Sequence, residues 1–362
     1  MARTDALAGA RNPRGRGMAT VGTVGSMDTG AVARAAIGPG LWLPLVTPMR
    51  AGAPDLAVLQ RLAAWYADAG VDGLIGLGTT GEGGLLTDAE RLAVIAAVTE
   101  AVHGKVPVMA GVGAVDTRAV CEQVRRLERH DLAGYLVPPP YYLRVSDEGI
   151  AWHVRRVASQ TARPLMLYNV PRRTGATISP DLALRLAAQG QVCAIKECDP
   201  AGMRALAGQD GIAVYCGDDA SMLDHLLAGG AGVVPAAAHV RPDLFVQLLR
   251  RVRAGDEAGA RALFARLVPL IALLFAEPNP APVKAALALC GLARDEVRLP
   301  LTPASAALVA RLEMTLARLP PPVAAPAGAP ALPPVPGARN AMHDRAAAGK
   351  MPDCLKNVHH VT

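Results

Sequence analysis

The sequence predicts an α/β fold: a (β/α)8 TIM barrel with additional C-terminal helices. Three observations carry this. Short apolar runs bounded by Gly or Pro alternate with amphipathic stretches of about 10 to 17 residues, an ordinary helix length. The alternation repeats eight times at near-regular spacing, as parallel strands joined by helical crossovers require. The chain has 362 residues, 51% hydrophobic and 19% charged, enough for one large α/β core. A doubly wound sheet also accommodates alternating units, because strand order is invisible in a sequence.

In chain order the strands are expected at 41–47, 72–77, 106–112, 134–138, 164–169, 193–197, 213–216 and 232–237. The helices that follow them are expected at 55–69, 87–103, 116–130, 147–161, 180–188, 200–207, 219–228 and 242–254. Local signals support the starts. Thr87 is followed three residues on by Glu90, a capping box. Ser179 precedes Pro180, with proline at the first helical position. Further helices near 256–275, 280–290 and 303–317 exceed what a barrel needs, so they pack outside it or build a subunit interface. Residues 40–255 are thus assigned to the barrel and 256–318 to a helical extension. Residues 1–39, rich in Gly, Ala and Arg, and 319–362, rich in Pro and Ala, are expected to be disordered tails.

Composition narrows the function. The formal net charge is +6, but the arginines are not gathered on one face, and only 3% of residues are aromatic, which argues against nucleic-acid binding. The six cysteines form no C-x-x-C pair and have no zinc-like spacing with histidine, so a reducing compartment is expected. No apolar run is long enough to span a membrane and no signal-peptide core opens the chain, which points to the cytoplasm.

Lys196 is one of only five lysines, and it lies in the apolar run Val192 to Glu197. Arginine cannot lose its proton in a protein; a desolvated lysine can, and its amine then attacks a ketone to form a Schiff base. The bland alternative is a strand-end lysine with its ammonium in water. Gly76 to Gly81 matches G-x-G-x-x-G, but no helix opens directly after it, so a dinucleotide reading is weak. A turn at a strand C-terminus, offering Thr79 and Thr80 to a small carboxylate, fits better. Strand five ends in Tyr168, a phenol suited to proton transfer, followed by Arg172 and Arg173, whose planar forks suit carboxylates. After strand four, Pro138 to Pro140 present Tyr141 and Tyr142 on a loop. In a barrel, Thr79, Thr80, Tyr142, Tyr168, Arg173 and Lys196 all fall on one rim. That coincidence favours the imine-forming reading of Lys196. Lys284, after a Pro-rich turn, and Lys105, at the opposite rim, are poorer candidates. Glu197 points to the other strand face, and Glu82 is expected to tie its loop to backbone donors.

With these residues in place, the chain resembles the dihydrodipicolinate synthase / N-acetylneuraminate lyase superfamily of class I aldolases, over about Leu41 to Pro303. The marks are GTTGE (78–82), PPYYL (139–143), YNVPRRTG (168–175), IKE (195–197), GDDA (217–220) and EPNPAPVK (277–284). The resemblance implies that Lys196 forms a Schiff base with pyruvate and that Tyr168 is the central acid/base, with Thr79 and Tyr142 completing a proton relay. Tyr142 is then supplied to a neighbouring subunit. It further implies that Thr80 binds the pyruvate carboxylate, that Arg173 binds the carboxylate of L-aspartate-4-semialdehyde, and that Gly217 and Val234 contribute to substrate binding. No metal or organic cofactor is implied, and a homotetramer is expected.

Departures from the family pattern matter too. Members inhibited by lysine carry histidines and an acidic residue where this chain has Asp88, Arg91 and Ala119, and Val115 replaces a polar residue. Only Tyr141 matches, so weak or absent lysine inhibition is expected. The run Pro235 to His239 also differs, which keeps open an aldolase acting on a sugar acid or 4-hydroxy-2-oxo acid. Arg173 argues for the semialdehyde. A catalytically silent barrel is the third possibility, and the full set Lys196, Tyr168, Thr79 and Tyr142 argues against it.

Overall fold

A computed structural model describes residues 37–320; the expected tails fall almost wholly outside the described residues. Eight parallel strands close into a barrel. They are β1 Gly40–Pro44, β2 Gly73–Gly76, β3 Val108–Gly111, β4 Gly134–Val137, β5 Leu165–Asn169, β6 Val192–Glu197, β7 Ala213–Cys216 and β8 Gly232–Val233. Each pairs with its sequence neighbours, and β8 closes the ring on β1 through Gly40 and Leu41. The doubly wound alternative is therefore excluded. The intervening helices are α1 Leu56–Ala69, α2 Asp88–Val102, α3 Thr117–Leu127, α4 Asp147–Ala158, α5 Pro180–Ala187, α6 Pro200–Leu206, α7 Met222–Leu227 and α8 Pro242–Arg253.

The two sides of the strands fill two separate apolar regions. Trp42, Ile75, Met109, Leu136, Met166 and Tyr215 pack inside the ring. Leu41, Leu43, Leu74, Val108 and Ile195 face outward onto the helices. This is the two-residue alternation of a strand applied eight times. It sends Ala194 inward and Ile195 outward on β6, and hence Lys196 inward and Glu197 outward. The N-terminal end of the barrel is sealed by the segment before β1: Trp42 Nε1 and Tyr215 OH both donate to Gly38 O at 2.9 Å.

The expected caps form. Thr87 and Glu90 make the reciprocal capping box that opens α2, and Ser179 caps α5 with Pro180 in the first turn. Two elements differ from expectation. The eighth strand is Gly232–Val233, not 232–237. Val234 still donates to Cys216 O, but the Asp219 carboxylate then takes the N–H groups of Ala236 and Ala237, and the chain coils into a 3-10 turn at Ala237–His239. The helix expected at 219–228 divides into a 3-10 turn at Asp219–Ser221, which carries that carboxylate, and α7. A small hairpin, Met49–Arg50 with Ala53–Pro54, follows β1.

The C-terminal segment contributes α9 Glu257–Leu274, α10 Ala281–Leu289 and α11 Ala306–Ala317. Leu267, Leu270, Val283 and Leu312 of these helices join the same apolar layer that covers the outside of the barrel. The extension thus brings the Pro-rich segment before α10 against the C-terminal rim. Among the described residues no helix is long and apolar enough to cross a membrane.

Candidate active site

The turn after β2 is held by its own backbone. Gly78 O accepts from Gly81 N at 3.1 Å and Gly83 N at 3.2 Å, and Thr79 O accepts from Glu82 N at 3.1 Å. Leu77 and Glu82 take positive φ values of 62° and 54° to make the turn. Gly83 is obligatory here, because a Cβ at that position would lie 1.9 Å from Leu77 O. From the segment after β1, the Thr47 hydroxyl donates to Gly81 O at 2.7 Å.

This turn is anchored to the C-terminal extension. The carboxylate of Glu82 is paired with the ammonium of Lys284, and both side chains are fully buried. Glu82 Oε2 also accepts from Arg298 N at 2.8 Å, and Lys284 donates a second bond to Glu296 O at 2.8 Å. Burial pushes the Lys284 pKa down, against the opposing attraction of Glu82. The sequence reading of Glu82 as a structural residue bonded to the backbone holds, but its chief partner, Lys284, was not anticipated. The available signal was a lone lysine inside the apolar stretch of α10. A second tie comes from Asn279, whose Nδ2 donates to Thr80 Oγ1 at 2.9 Å.

Tyr168 and Lys196 are directly paired across β5 and β6, as are Asn169 and Glu197 one position on. Alternation therefore puts the phenol and the amine together inside the barrel. Lys196 is 7% exposed, and its Nζ stands 4.5 Å from the centroid of the Tyr168 ring. Outside the barrel, the Asn169 amide donates to both oxygens of Glu197 at 2.9 Å, and its own oxygen accepts from Ile178 N at 2.9 Å. Burial raises the Glu197 pKa to about 7, with Asn169 opposing. Glu197 is thus a strut on the far face, as expected. Asp219, fully buried at the start of the β7–α7 connection, is likewise raised to about 7 by burial.

Gly217 lies against the lysine. A Cβ there would meet Cys198 Sγ at 2.4 Å and Lys196 Cε at 2.8 Å, and its N–H is taken by Glu197 O at 2.7 Å. Its absent side chain is what leaves room for Lys196.

A cavity of about 310 Å³ opens at this rim. Thr79, Tyr168 and Arg173 line it, together with Arg91, Tyr141 and Asn279. Lys196 is not among the lining residues and meets the cavity through Tyr168. Thr80 is buried just behind, bonded to Asn279, and Val234 is buried inside the barrel. Tyr142 is not brought to the cavity of its own chain. It is 89% exposed, with φ 72°, and only its backbone is tied down, to Thr174 O at 3.1 Å. Tyr141 occupies the cavity wall instead. Asn279 also lines the cavity, a role that its place in the EPNPAPVK run does not by itself reveal.

This arrangement can be set against known proteins. The model of the dihydrodipicolinate synthetase family matches residues 39–319. A 4-hydroxy-tetrahydrodipicolinate synthase of Anaeromyxobacter dehalogenans (strain 2CP-C) is 39% identical over 284 residues, covering 77% of this chain and 96% of its own. The crystal structure of dihydrodipicolinate synthase from Thermotoga maritima superposes with a TM-score of 0.75 at 35% identity, over 77% of this chain and 98% of that one. A chloride-inhibited dihydrodipicolinate synthase from Acinetobacter baumannii, complexed with pyruvate, gives a TM-score of 0.74 at 33% identity, over 77% and 98%.

Fold and matches together define a lyase built on a (β/α)8 barrel. The chain belongs to the dihydrodipicolinate synthetase family.

Proposed function

We propose that this chain condenses pyruvate with L-aspartate-4-semialdehyde to 4-hydroxy-tetrahydrodipicolinate, in diaminopimelate and lysine biosynthesis, through an imine on Lys196. The observation that carries the proposal is the pairing of a buried lysine with Tyr168, on the wall of a cavity that also holds Thr79 and Arg173. The names of the relatives and the pyruvate bound by the Acinetobacter baumannii structure agree with it.

The Lys196 amine attacks C2 of pyruvate, and loss of water gives the imine. A proton leaves C3 to form the enamine, whose carbon attacks the aldehyde of the semialdehyde. Tyr168, relayed through Thr79, supplies the proton that the new alkoxide takes up. The amine of the second substrate then attacks the imine carbon, which closes the ring and releases Lys196. The Thr80 hydroxyl receives the pyruvate carboxylate. The exposed fork of Arg173 receives that of the semialdehyde. Gly217 keeps the lysine's path open, and Val234 packs the barrel interior beneath.

Tyr142 completes the relay of a neighbouring subunit in a homotetramer. Its exposure and its absence from the cavity wall of its own chain support this. Lysine inhibition is weak or absent, because the position facing Tyr141 holds the Arg91 guanidinium and Asp88 is bound to Arg126 at 2.6 Å. Millimolar lysine that halves the initial rate disproves this last point.

Borohydride reduction in the presence of pyruvate tests the chemistry. The chain should gain one reduced pyruvyl group at Lys196, and Lys196→Ala should gain none. An unmodified wild-type mass rejects the proposal. Aspartate semialdehyde added in an assay coupled to the downstream reductase tests the acceptor.

A further inference from the structure

We infer that Asn279 is a specificity-determining residue, whose amide orients Thr80 on one side and offers its carbonyl oxygen to the amino group of the second substrate on the other. This rests on the aldol reading above and extends it to a residue outside the relay.

Asn279 is 7% exposed and lies on the cavity wall. Its Nδ2 donates to Thr80 Oγ1 at 2.9 Å. Its Oδ1 is buried and has no hydrogen-bond partner. Among the described residues Asn279 is the one cavity-lining residue that carries such an atom. A buried carbonyl without a donor is costly and calls for an explanation. Its position is fixed from both sides. Ala281 N closes a turn onto Pro278 O at 3.1 Å, and α10 is bolted through Lys284 to Glu82, in the same turn as Thr80. These contacts hold Asn279 at the cavity wall, beside Thr80.

The chemistry of the two substrates decides what that oxygen receives. Pyruvate, as the anion of a keto acid, has no N–H or O–H to give. Aspartate semialdehyde carries an α-amino group, with N–H bonds to donate. After the new C–C bond forms, that nitrogen must reach the imine carbon, so holding one N–H at Asn279 Oδ1 also positions the nucleophile. Asn279 accepts this hydrogen bond; it does not take the proton. At its other end, because Thr80 Oγ1 accepts from Asn279, the Thr80 hydrogen is free to donate to a carboxylate. One side chain thus serves both substrates, by different atoms.

The test compares aspartate semialdehyde with succinate semialdehyde, which has the same aldehyde and carboxylate but no amine. The Michaelis constant of the first and the inhibition constant of the second are measured at saturating pyruvate on the full chain. Borohydride capture of pyruvate reports that each variant is folded. Asn279→Ala should raise the Michaelis constant for aspartate semialdehyde by roughly 10- to 100-fold, the worth of one hydrogen bond to a charged group. The inhibition constant of succinate semialdehyde should move by less than about 3-fold. Asn279→Asp keeps an acceptor, so it should hold aspartate semialdehyde near the wild-type value, while the pyruvate constant rises because Thr80 now donates to the new carboxylate.

If the alanine variant does not fold, the aspartate variant carries the test. A rise confined to aspartate semialdehyde then overturns the assignment. Equal effects of Asn279→Ala on both aldehydes, or no effect on either, also overturn it. Wild-type protein that captures pyruvate yet consumes no aspartate semialdehyde instead defeats the reading of the reaction itself.

Discussion

Lys196 owes its freedom to a side chain that is missing on the neighbouring strand end. Gly217 is a glycine because a methyl group there would press on both Lys196 Cε and Cys198 Sγ. Gly217→Ala should therefore slow capture of pyruvate by borohydride roughly tenfold or more, since misplacing a reacting group by about 1 Å carries a penalty of that order or larger. Capture at the wild-type rate would show that the lysine can shift aside freely. His239 is a second residue whose state is set by its bonds. Its Nδ1 lies 2.8 Å from Ala236 O and its Nε2 accepts from Val46 N at 3.0 Å, so the ring is neutral with the proton on Nδ1. Burial lowers its pKa from the ordinary 6.5 to about 4. Between those values the unfolded chain binds the proton and the folded chain does not, so this stabilisation is full above pH 6.5 and is lost as the pH falls towards 4. Glu197 and Asp219, raised to about 7, have the opposite slope and withdraw their contribution as the pH rises through 7. The isolated effect is therefore read from a difference. Relative to wild type, His239→Gln should gain roughly 3 kcal/mol of stability between pH 7 and pH 4 in urea titrations. Parallel curves would assign the acid sensitivity elsewhere.

The element that matters most to the site is not a strand. The turn after β2 carries Thr79 and Thr80, and α10 holds that turn through Glu82 and Lys284. Two charges so placed gain little over a well-packed apolar pair, but removing one partner strands the other. Lys284→Met should lower unfolding stability by about 3–5 kcal/mol, and adding Glu82→Gln should recover most of it. Urea midpoints of the two variants check this, and a double variant no better than the single one would refute the pairing account. The sequence reading ranked Lys284 below Lys196 because it follows a Pro-rich turn. The structure adds a different reason, since the Lys284 ammonium is already engaged by two oxygens. The same paired-loop logic shortened β8. Asp219, from one βα connection, captures backbone donors of the next, and no local propensity in 232–237 foretells that.

At the scale of the whole molecule, the barrel leaves one proposed component of the site outside it. Tyr142 projects from the rim with Leu143, while Trp152 is exposed on α4. If Tyr142 acts on a neighbour, mixing two inactive variants should restore activity. In a mixed pair, the subunit with Tyr142→Phe keeps Lys196 and borrows an intact Tyr142 from the Lys196→Ala subunit. Activity regained after dissociation and reassembly, to about a quarter of the wild-type value as random pairing of equal amounts allows, is the expected outcome. Complete silence of the mixture would place Tyr142 in the service of its own chain or of none.

The barrel was legible in the chain because its determinants are local. Strand alternation, eight turns, caps such as Thr87 and Ser179, and a lysine in an apolar strand are all written within a few residues of one another. The same alternation was enough to send Tyr168 and Lys196 inward and Glu197 outward. What the fold alone decided lies at long range. Closing the ring joins β8 to β1, about 190 residues apart. It also seats Asn279 on Thr80 and Lys284 on Glu82 across roughly 200 residues. Such contacts depend on where whole elements dock, and docking is a property of complementary surfaces that no single segment carries.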